Sequence, residues 1–481
     1  MLFNSYIFIL VFCPAVISLY FLATKRQIRC AKVGLVLASL FFYSYFKLAY
    51  LPIIVFSILF NFYVGRVQYR ARDLGRHHCE RWILALGVTV NLGILFYFKY
   101  YAFTISIINP LIGTSWACAK ILLPLGLSFY TFQQLSFLVD NYRSNQVHYG
   151  FWDYALFVTF FPQLIAGPIV LPVEMLPQFD DPTKKAINFR NWSVGLFLFS
   201  CGLAKKCFIA DTLAIYSNLG FDSNSILTFA EAWVVALAFS LQLYYDFSGY
   251  CDMAMGLGLF FNIQLPLNFN SPYKAADFQE FWRRWHITLG RFMLNYLYIP
   301  LGGNRRSSAR TLMNLLIVFT LSGIWHGAGV LFLAWGALHG FAILTHRMWK
   351  RVGWGRFCPT GGMPRVAGIA VTFVTVTIFW VFFRAQSWTR TVSILRSMFS
   401  FHRLQWLSND FKVAAFDATF SVNKVGAILV ASMMMAFFCP NSLEWSQRIK
   451  TPWKMAFLTI ILFMLGFIFV GRRVPFLYFN F

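Results

Sequence analysis

One imidazole stands among apolar residues at His326, in the tract Leu321, Ser322, Gly323, Ile324, Trp325, His326, Gly327, Ala328 and Gly329. Flanking glycines let backbone approach closely, and apolar runs on both sides place the ring at membrane depth. An ionisable side chain is costly to keep there, so a working role is the first hypothesis. A neutral imidazole takes a proton from an attacking hydroxyl near pH 7, which would let an alcohol attack a thioester. Whether His326 activates the hydroxyl or carries the acyl group itself is left open by the sequence.

Upstream, Phe281, Trp282, Arg283, Arg284, Trp285, His286, Ile287 and Thr288 form an aromatic and basic cluster. Asp277 with Glu280 three residues on reads as a capping box, with Asp in place of Ser or Thr. A helix continuing from that cap would put Trp282 and His286 on one face. For the arginines alone, an interfacial helix anchored by tryptophans and snorkelling guanidiniums accounts for the pattern. In a functional reading His286 is a second polar group of the site, and Arg283 and Arg284 contact a phosphate-bearing donor.

The stretch from Gln242 through Asp246, Ser248 and Asp252 to Gly258 is also polar and glycine-rich. Asp246 could cap a helix containing Gly249, Gly256 and Gly258, whose small size permits close helix packing. Two carboxylates six residues apart do not share a helical face, so a carboxylate-pair hydrolase finds little support and these aspartates are assigned to structure. His77, His78, Cys79 and Glu80 are adjacent and point in divergent directions, with no second ligand pair behind them. The nine cysteines include no CxxC and no His–Cys grouping at metal spacing, so neither a metal site nor a disulfide framework is expected.

These residues need elements to hold them, and the composition says which kind. Of 481 residues, 59% are apolar, 12% are charged and 20% are aromatic, including 57 phenylalanines. That excludes most soluble architectures and describes lipid-facing helices with interfacial aromatic belts. The 41 Lys and Arg against 17 Asp and Glu give +24, but the basic residues lie mainly between apolar runs. They read as topology determinants and contacts to anionic membrane lipids, and no nucleic-acid partner is expected.

Apolar runs begin near residues 3, 31, 50, 82, 119, 151, 192, 226, 311, 329, 366, 421 and 453. At roughly 20 residues per crossing they predict an all-α polytopic membrane protein with about 11–13 transmembrane helices, plus re-entrant and interfacial segments where Pro, Gly or Lys interrupt a run. The first run has no basic region before it and reads as a span rather than a cleaved signal. Basic segments Lys25–Lys32 and Arg66–Arg81 fall on the cytoplasmic side if Met1 lies outside. Polar stretches at Leu171–Trp192, Asn268–Arg291, Gly302–Arg310 and Val352–Arg365 are short enough to be loops or interfacial helices. Ser387–Phe401, with Trp388, Val392, Leu395, Met398 and Phe399 among Arg390 and Arg396, reads as an amphipathic interfacial helix. No internal repeat of the transporter kind is visible, which argues against a polysaccharide or lipid transporter.

With these residues in view, the chain resembles the membrane-bound O-acyltransferase family, in its bacterial alginate-acetylating branch. The resemblance is carried nearly end to end by Leu123-Pro-Leu-Gly-Leu-Ser-Phe-Tyr130, Phe160-Phe-Pro-Gln-Leu-Ile-Ala-Gly-Pro168, Tyr245-Asp-Phe-Ser-Gly-Tyr-Cys-Asp252, Glu280-Phe-Trp-Arg-Arg-Trp-His286 and Tyr296-Leu-Tyr-Ile-Pro-Leu-Gly-Gly303. Gly323-Ile-Trp-His-Gly327, Trp335-Gly-Ala-Leu-His-Gly340 and Phe382-Phe-Arg-Ala385 complete it. It implies a single integral-membrane acyltransferase domain over 1–481: N-terminal helices to 118, a catalytic core with a central tunnel over 119–349, and C-terminal helices from 350. It further implies His326 as the catalytic position, His286 as the second polar position, and Trp325 and Trp285 as walls, with Trp282, Arg283, Arg284 and Asn295 along the substrate path.

The same resemblance implies a bacterial inner membrane location and no tightly bound cofactor. Acetyl-CoA or another acyl thioester is the implied donor, and a periplasmic SGNH-hydrolase-like partner then O-acetylates a secreted exopolysaccharide beside its synthesis machinery. A carrier-protein-dependent transfer of D-alanine to an envelope polymer is the alternative. One departure stands out: relatives read Leu-Arg-Asp-Tyr where this chain has Met293, Leu294, Asn295 and Tyr296. The charged pair is missing, and Asn295 donates and accepts hydrogen bonds but carries no charge.

Overall fold

A computed structural model of the chain describes residues 1–116, 121–143, 149–351, 362–400, 422–471 and 476–477, so most of the polar stretch Val352–Arg365 and the end of Ser387–Phe401 lie outside the described residues. Among the described residues every regular element is helical. Six helices are long and apolar enough to cross a membrane: Leu48–Asp73, His77–Ile112, Phe189–Asp222, Ser308–His326, Val330–Arg351 and Arg365–Arg384. A seventh is possible if Gly426–Phe438 and Ser442–Arg448, bent by 65°, form one broken span, and two shorter apolar helices cover Phe8–Thr24 and Pro452–Ile468. The chain is a multi-pass membrane protein.

Among the described residues these are fewer than the about 11–13 spans expected from apolar runs alone. Several runs fold into helices that are shorter, broken or more polar than these six. The one near residue 31 gives α1 (Ile28–Ser44), 17 residues long, and at 1.5 Å per residue that falls short of a hydrocarbon core of about 30 Å. The run near 151 stops after nine residues, where Phe160 leaves helical geometry before Pro162. The run near 226 gives a helix of 32 residues, but Glu231, Gln242, Asp246 and Asp252 are spread along it.

By contact density the chain divides into two compact units, Met1–Phe199 with Cys251–Leu267, and Ser200–Tyr250 with Asn268–Phe481. In the first, α1 is followed by α2 (Leu51–Asp73) and α3 (His77–Leu95). Asn61 of α2 and Asn91 of α3 exchange amide hydrogen bonds of 3.1 and 2.6 Å while buried. Arg72 donates its Nε to Glu80 at 2.8 Å across the turn between them. Lys32 pairs with Asp153 at 2.6 Å and with Asp180, tying α1 to the segments that follow.

The second unit holds part of α4 (Phe229–Phe260), then α5 (Phe278–Arg284), α6 (Ile287–Met293), α7 (Ser308–His326), α8 (Val330–Arg351), α9 (Gly362–Arg384) and α10 (Trp388–Met398). Asp246 lies inside α4 and does not cap it, contrary to the sequence expectation. Its carboxylate pairs with buried Lys206 at 2.6 Å and accepts the Leu477 N–H at 2.8 Å, while Lys206 also meets Asp211 at 2.7 Å. Buried charges persist only when paired this closely, and removing one partner costs about 3–5 kcal/mol. Helix α10 is capped by Ser387, whose Oγ accepts the Arg390 N–H at 3.1 Å. It buries Ile394 and Met398, while Trp388 and Phe399, counted with Met398 among the apolar residues of this stretch, are exposed.

Helices α7 and α8 lie very close together. A Cβ added to Gly323 would sit 2.3 Å from the Phe332 carbonyl oxygen and 3.0 Å from the Gly336 Cα. One added to Gly336 would sit 2.4 Å from the Phe319 carbonyl oxygen. Only glycine permits such backbone contact, and it fixes where the end of α7 lies against the middle of α8.

Candidate active site

The local fold around His286 starts at Asp277, whose carboxylate accepts the Glu280 N–H at 2.8 Å and opens α5. Glu280 reaches back one residue further than in the usual box, accepting the Ala276 N–H at 2.8 Å. Burial works against ionisation of Asp277, but the Glu280 N–H and neighbouring His346 and Lys350 outweigh it and hold the carboxyl below its usual range. A depressed carboxyl pKa contributes stability above the unfolded value and loses it as pH falls. Acidification below about pH 4 is therefore expected to loosen the start of α5, measurable as faster amide exchange at Phe278–Glu280.

Helix α5 ends at Arg284, and the chain reverses through Trp285 in extended geometry and His286 at φ 45°, ψ 53°. Trp282 and His286 therefore do not share a helical face, correcting the sequence expectation. The left-handed turn costs about 1–2 kcal/mol for a residue with a Cβ. Asn268 offsets it: its carbonyl accepts the Ile287 N–H at 3.0 Å, and its Oδ1 accepts the Thr288 N–H at 3.2 Å and the Thr288 hydroxyl at 3.0 Å.

The same Oδ1 lies 3.1 Å from His286 Nδ1. Because the Thr288 amide can only donate, the atom facing it must be the oxygen, so His286 Nδ1 carries a proton. In the neutral ring that leaves a lone pair on Nε2. Asn268→Ala is expected to cost about 1–3 kcal/mol by orphaning these buried donors, seen as a lower melting temperature in detergent.

His326 is the last residue of α7 and is buried. Its ring lies among Trp325 at 4.9 Å between centroids, Trp335 at 5.2 Å and perpendicular, Phe383 at 5.4 Å and His286 at 6.4 Å. His286 in turn is met edge-on by Phe247 at 4.8 Å and faces Trp325 at 6.3 Å. Trp285 packs on Trp380 and Phe269, each at 5.0 Å. The fold thus brings His326, His286 and Trp325 into one buried aromatic box, to which buried Trp285 is joined through Phe269 and Trp380.

The other sequence candidates lie around it. Half-buried Trp282 donates its indole N–H to His339 Nδ1 at 3.2 Å. Arg283 is exposed, whereas Arg284 is spent on Glu280 at 2.8 Å and on the Asn270 carbonyl at 3.1 Å, a structural role. Asn295 sits half-buried in the single π-turn Leu294–Tyr298 after α6. The sequence reading gave no role to His339, Trp335, Asn268 or Phe383. His339 and Trp335 lie in the tract Trp335–Gly340, so the signal was present, but a histidine inside an apolar helix reads as core. Among the described residues no group of three or more His, Cys, Asp or Glu side chains could hold a metal ion.

Comparison with known proteins gives the family of the chain. The sequence model of the MBOAT, membrane-bound O-acyltransferase family, matches residues 94–387, which include both histidines. The chain is 40% identical to the peptidoglycan O-acetyltransferase of Helicobacter pylori, covering 100% of this chain and 98% of that protein. It is 36% identical to the Pseudomonas aeruginosa protein named "Probable alginate O-acetylase AlgI", over 91% of this chain and 81% of the other. A teichoic acid D-alanyltransferase of Bacillus subtilis is 22% identical over 54% of this chain and 68% of its own length.

Proposed function

For a chain that belongs to the membrane-bound O-acyltransferase family and is an O-acyltransferase, we propose that it passes an acetyl group from a cytoplasmic thioester, acetyl-CoA, across the bacterial inner membrane for O-acetylation of an envelope or secreted glycan. What carries this reading is the pair of histidines held 6.4 Å apart in a buried aromatic box. His326 accepts the proton of the attacking hydroxyl as the new O–C bond forms. The C–S bond then breaks, and the proton passes to the leaving thiolate. His286 holds the acceptor through its Nε2 lone pair, and the Trp325 indole N–H, between the two histidines, stabilises the developing oxyanion.

A central tunnel joining the two faces lets the charged donor stay in the cytoplasm. Exposed Arg283 meets the donor's phosphates, and Asn295 lies along the acceptor path. A periplasmic SGNH-hydrolase-like partner receives the acetyl group and delivers it to the polymer. The relatives suggest two acceptors. Peptidoglycan is the first to test, because that relative spans the whole chain, and an alginate-like exopolysaccharide is the second. D-alanyl transfer has the weaker support, from relatives covering about half of the chain.

The test is reconstitution in vesicles with labelled acetyl thioester outside and a glycan acceptor plus partner within. Label reaching the lumenal acceptor at a His326-dependent rate supports the proposal, and label that stays on the thioester side defeats it. His286→Ala is expected to slow transfer about tenfold, the worth of one buried hydrogen bond, with unchanged expression. An unchanged rate would remove His286 from the site.

A further inference from the structure

His339 is fully buried inside α8, boxed by Trp282 at 4.9 Å, Trp335 at 4.9 Å, Phe379 at 5.0 Å and Phe281 at 6.3 Å. An indole N–H only donates, so the 3.2 Å contact from Trp282 requires a lone pair on His339 Nδ1. The proton of the neutral ring is then on Nε2, which has no hydrogen-bond partner among the described residues. A phenylalanine would fill the same box and spare the unpaired Nε2–H, but it would take the acceptor from the half-buried Trp282 N–H. What the imidazole adds over an apolar filler is that acceptor.

That one bond joins the two segments carrying the site. Trp282 is on α5, whose C-terminal exit turns directly into His286. His339 is one helical turn beyond Trp335 on α8, and Trp335 stands perpendicular to the His326 ring at 5.2 Å. Trp282 also packs against Trp335 at 5.9 Å. We propose that His339 is a positioning residue that sets the separation of His286 and His326 by locking Trp282 of α5 to α8. The inference rests on the acyl-transfer reading of the two histidines.

The experiment measures kcat and KM for acetyl transfer in vesicles for His339→Phe, His339→Asn, Trp282→Phe and the double variant Trp282→Phe with His339→Phe. His339→Phe keeps the ring volume and loses the acceptor, so kcat is expected to fall about tenfold or more with KM within twofold, as small misplacements of reacting groups do. His339→Asn puts an amide oxygen near the Nδ1 position and is expected to recover most of the loss. Trp282→Phe removes the same bond from its other end and carries the test if the His339 variant fails to accumulate. The double variant is expected to be no worse than either single one, because both delete a single interaction.

A kcat within twofold of the parent in His339→Phe, losses that multiply in the double variant, or no recovery in His339→Asn would overturn the proposal. The His326→Ala variant run alongside separates the two levels of inference. Activity surviving there removes the acyl-transfer reading, whereas its loss together with a wild-type His339→Phe removes only the positioning role.

Discussion

His326→Ala is expected to insert normally, to retain the box of tryptophans around it and to transfer no measurable acetyl. The alanine deletes the only side chain that both ends α7 and packs against Trp325, Trp335 and His286. Loss of a positioned general base lowers the rate about 10²- to 10⁴-fold, and covalent transfer through the ring would be lost altogether. Stability should change little compared with this, because His326 is the terminal residue of its helix. The measurement is acetyl content of the glycan made by cells carrying the variant, with membrane-inserted protein quantified in parallel. Normal acetyl content with normal protein would defeat the assignment of His326.

Gly336→Leu is expected to remove activity by a different route. A side chain there drives into the Phe319 carbonyl oxygen, 2.4 Å from where its Cβ must go, and backbone has no rotamer by which to yield. Overpacking costs typically 1–3 kcal/mol, and more when helices must separate along their length. Parting α7 from α8 also withdraws Trp335 from His326. The variant should lose its sharp gel-filtration peak in detergent and at least a hundredfold in transfer, whereas Gly336→Ala, with one methyl to accommodate, loses less. A monodisperse Gly336→Leu protein with unchanged melting would show that the glycine contact does not set the site.

The helical class was legible, and His326 stood out as the first candidate, because both rest on local chemistry. Apolar runs announce helices in lipid, and an imidazole set between such runs with glycines beside it is too costly to keep without a use. His286 was legible as a candidate, but its placement was not. Nothing in Trp-Arg-Arg-Trp-His signals a left-handed residue, and Asn268, which holds that turn, lies eighteen positions upstream.

Where each run ends was not legible, because apolarity counts residues without measuring helix length, as α1 and the broken helix at Phe160 illustrate. Asp246 was misread as a cap because a carboxylate three residues before a glycine-containing apolar run suggests a helix start. Its partner Lys206 is distant in sequence and revealed only by packing. His339 was passed over for the opposite reason: the fold hides it so completely that composition gives it nothing to do.

The backbone at His286 narrows how this position can drift over generations. Its φ of 45° suits asparagine and glycine and strains almost every other side chain. A lineage abandoning the imidazole there has asparagine as its easiest exit, since that residue tolerates the twist and keeps a polar head in place. Leucine or glutamine would be penalised by geometry before chemistry was consulted. With the ring serving transfer as proposed, selection acts on the position twice, once through the ring and once through the turn beneath it, and catalogues of natural variants should be poorest where the two demands coincide.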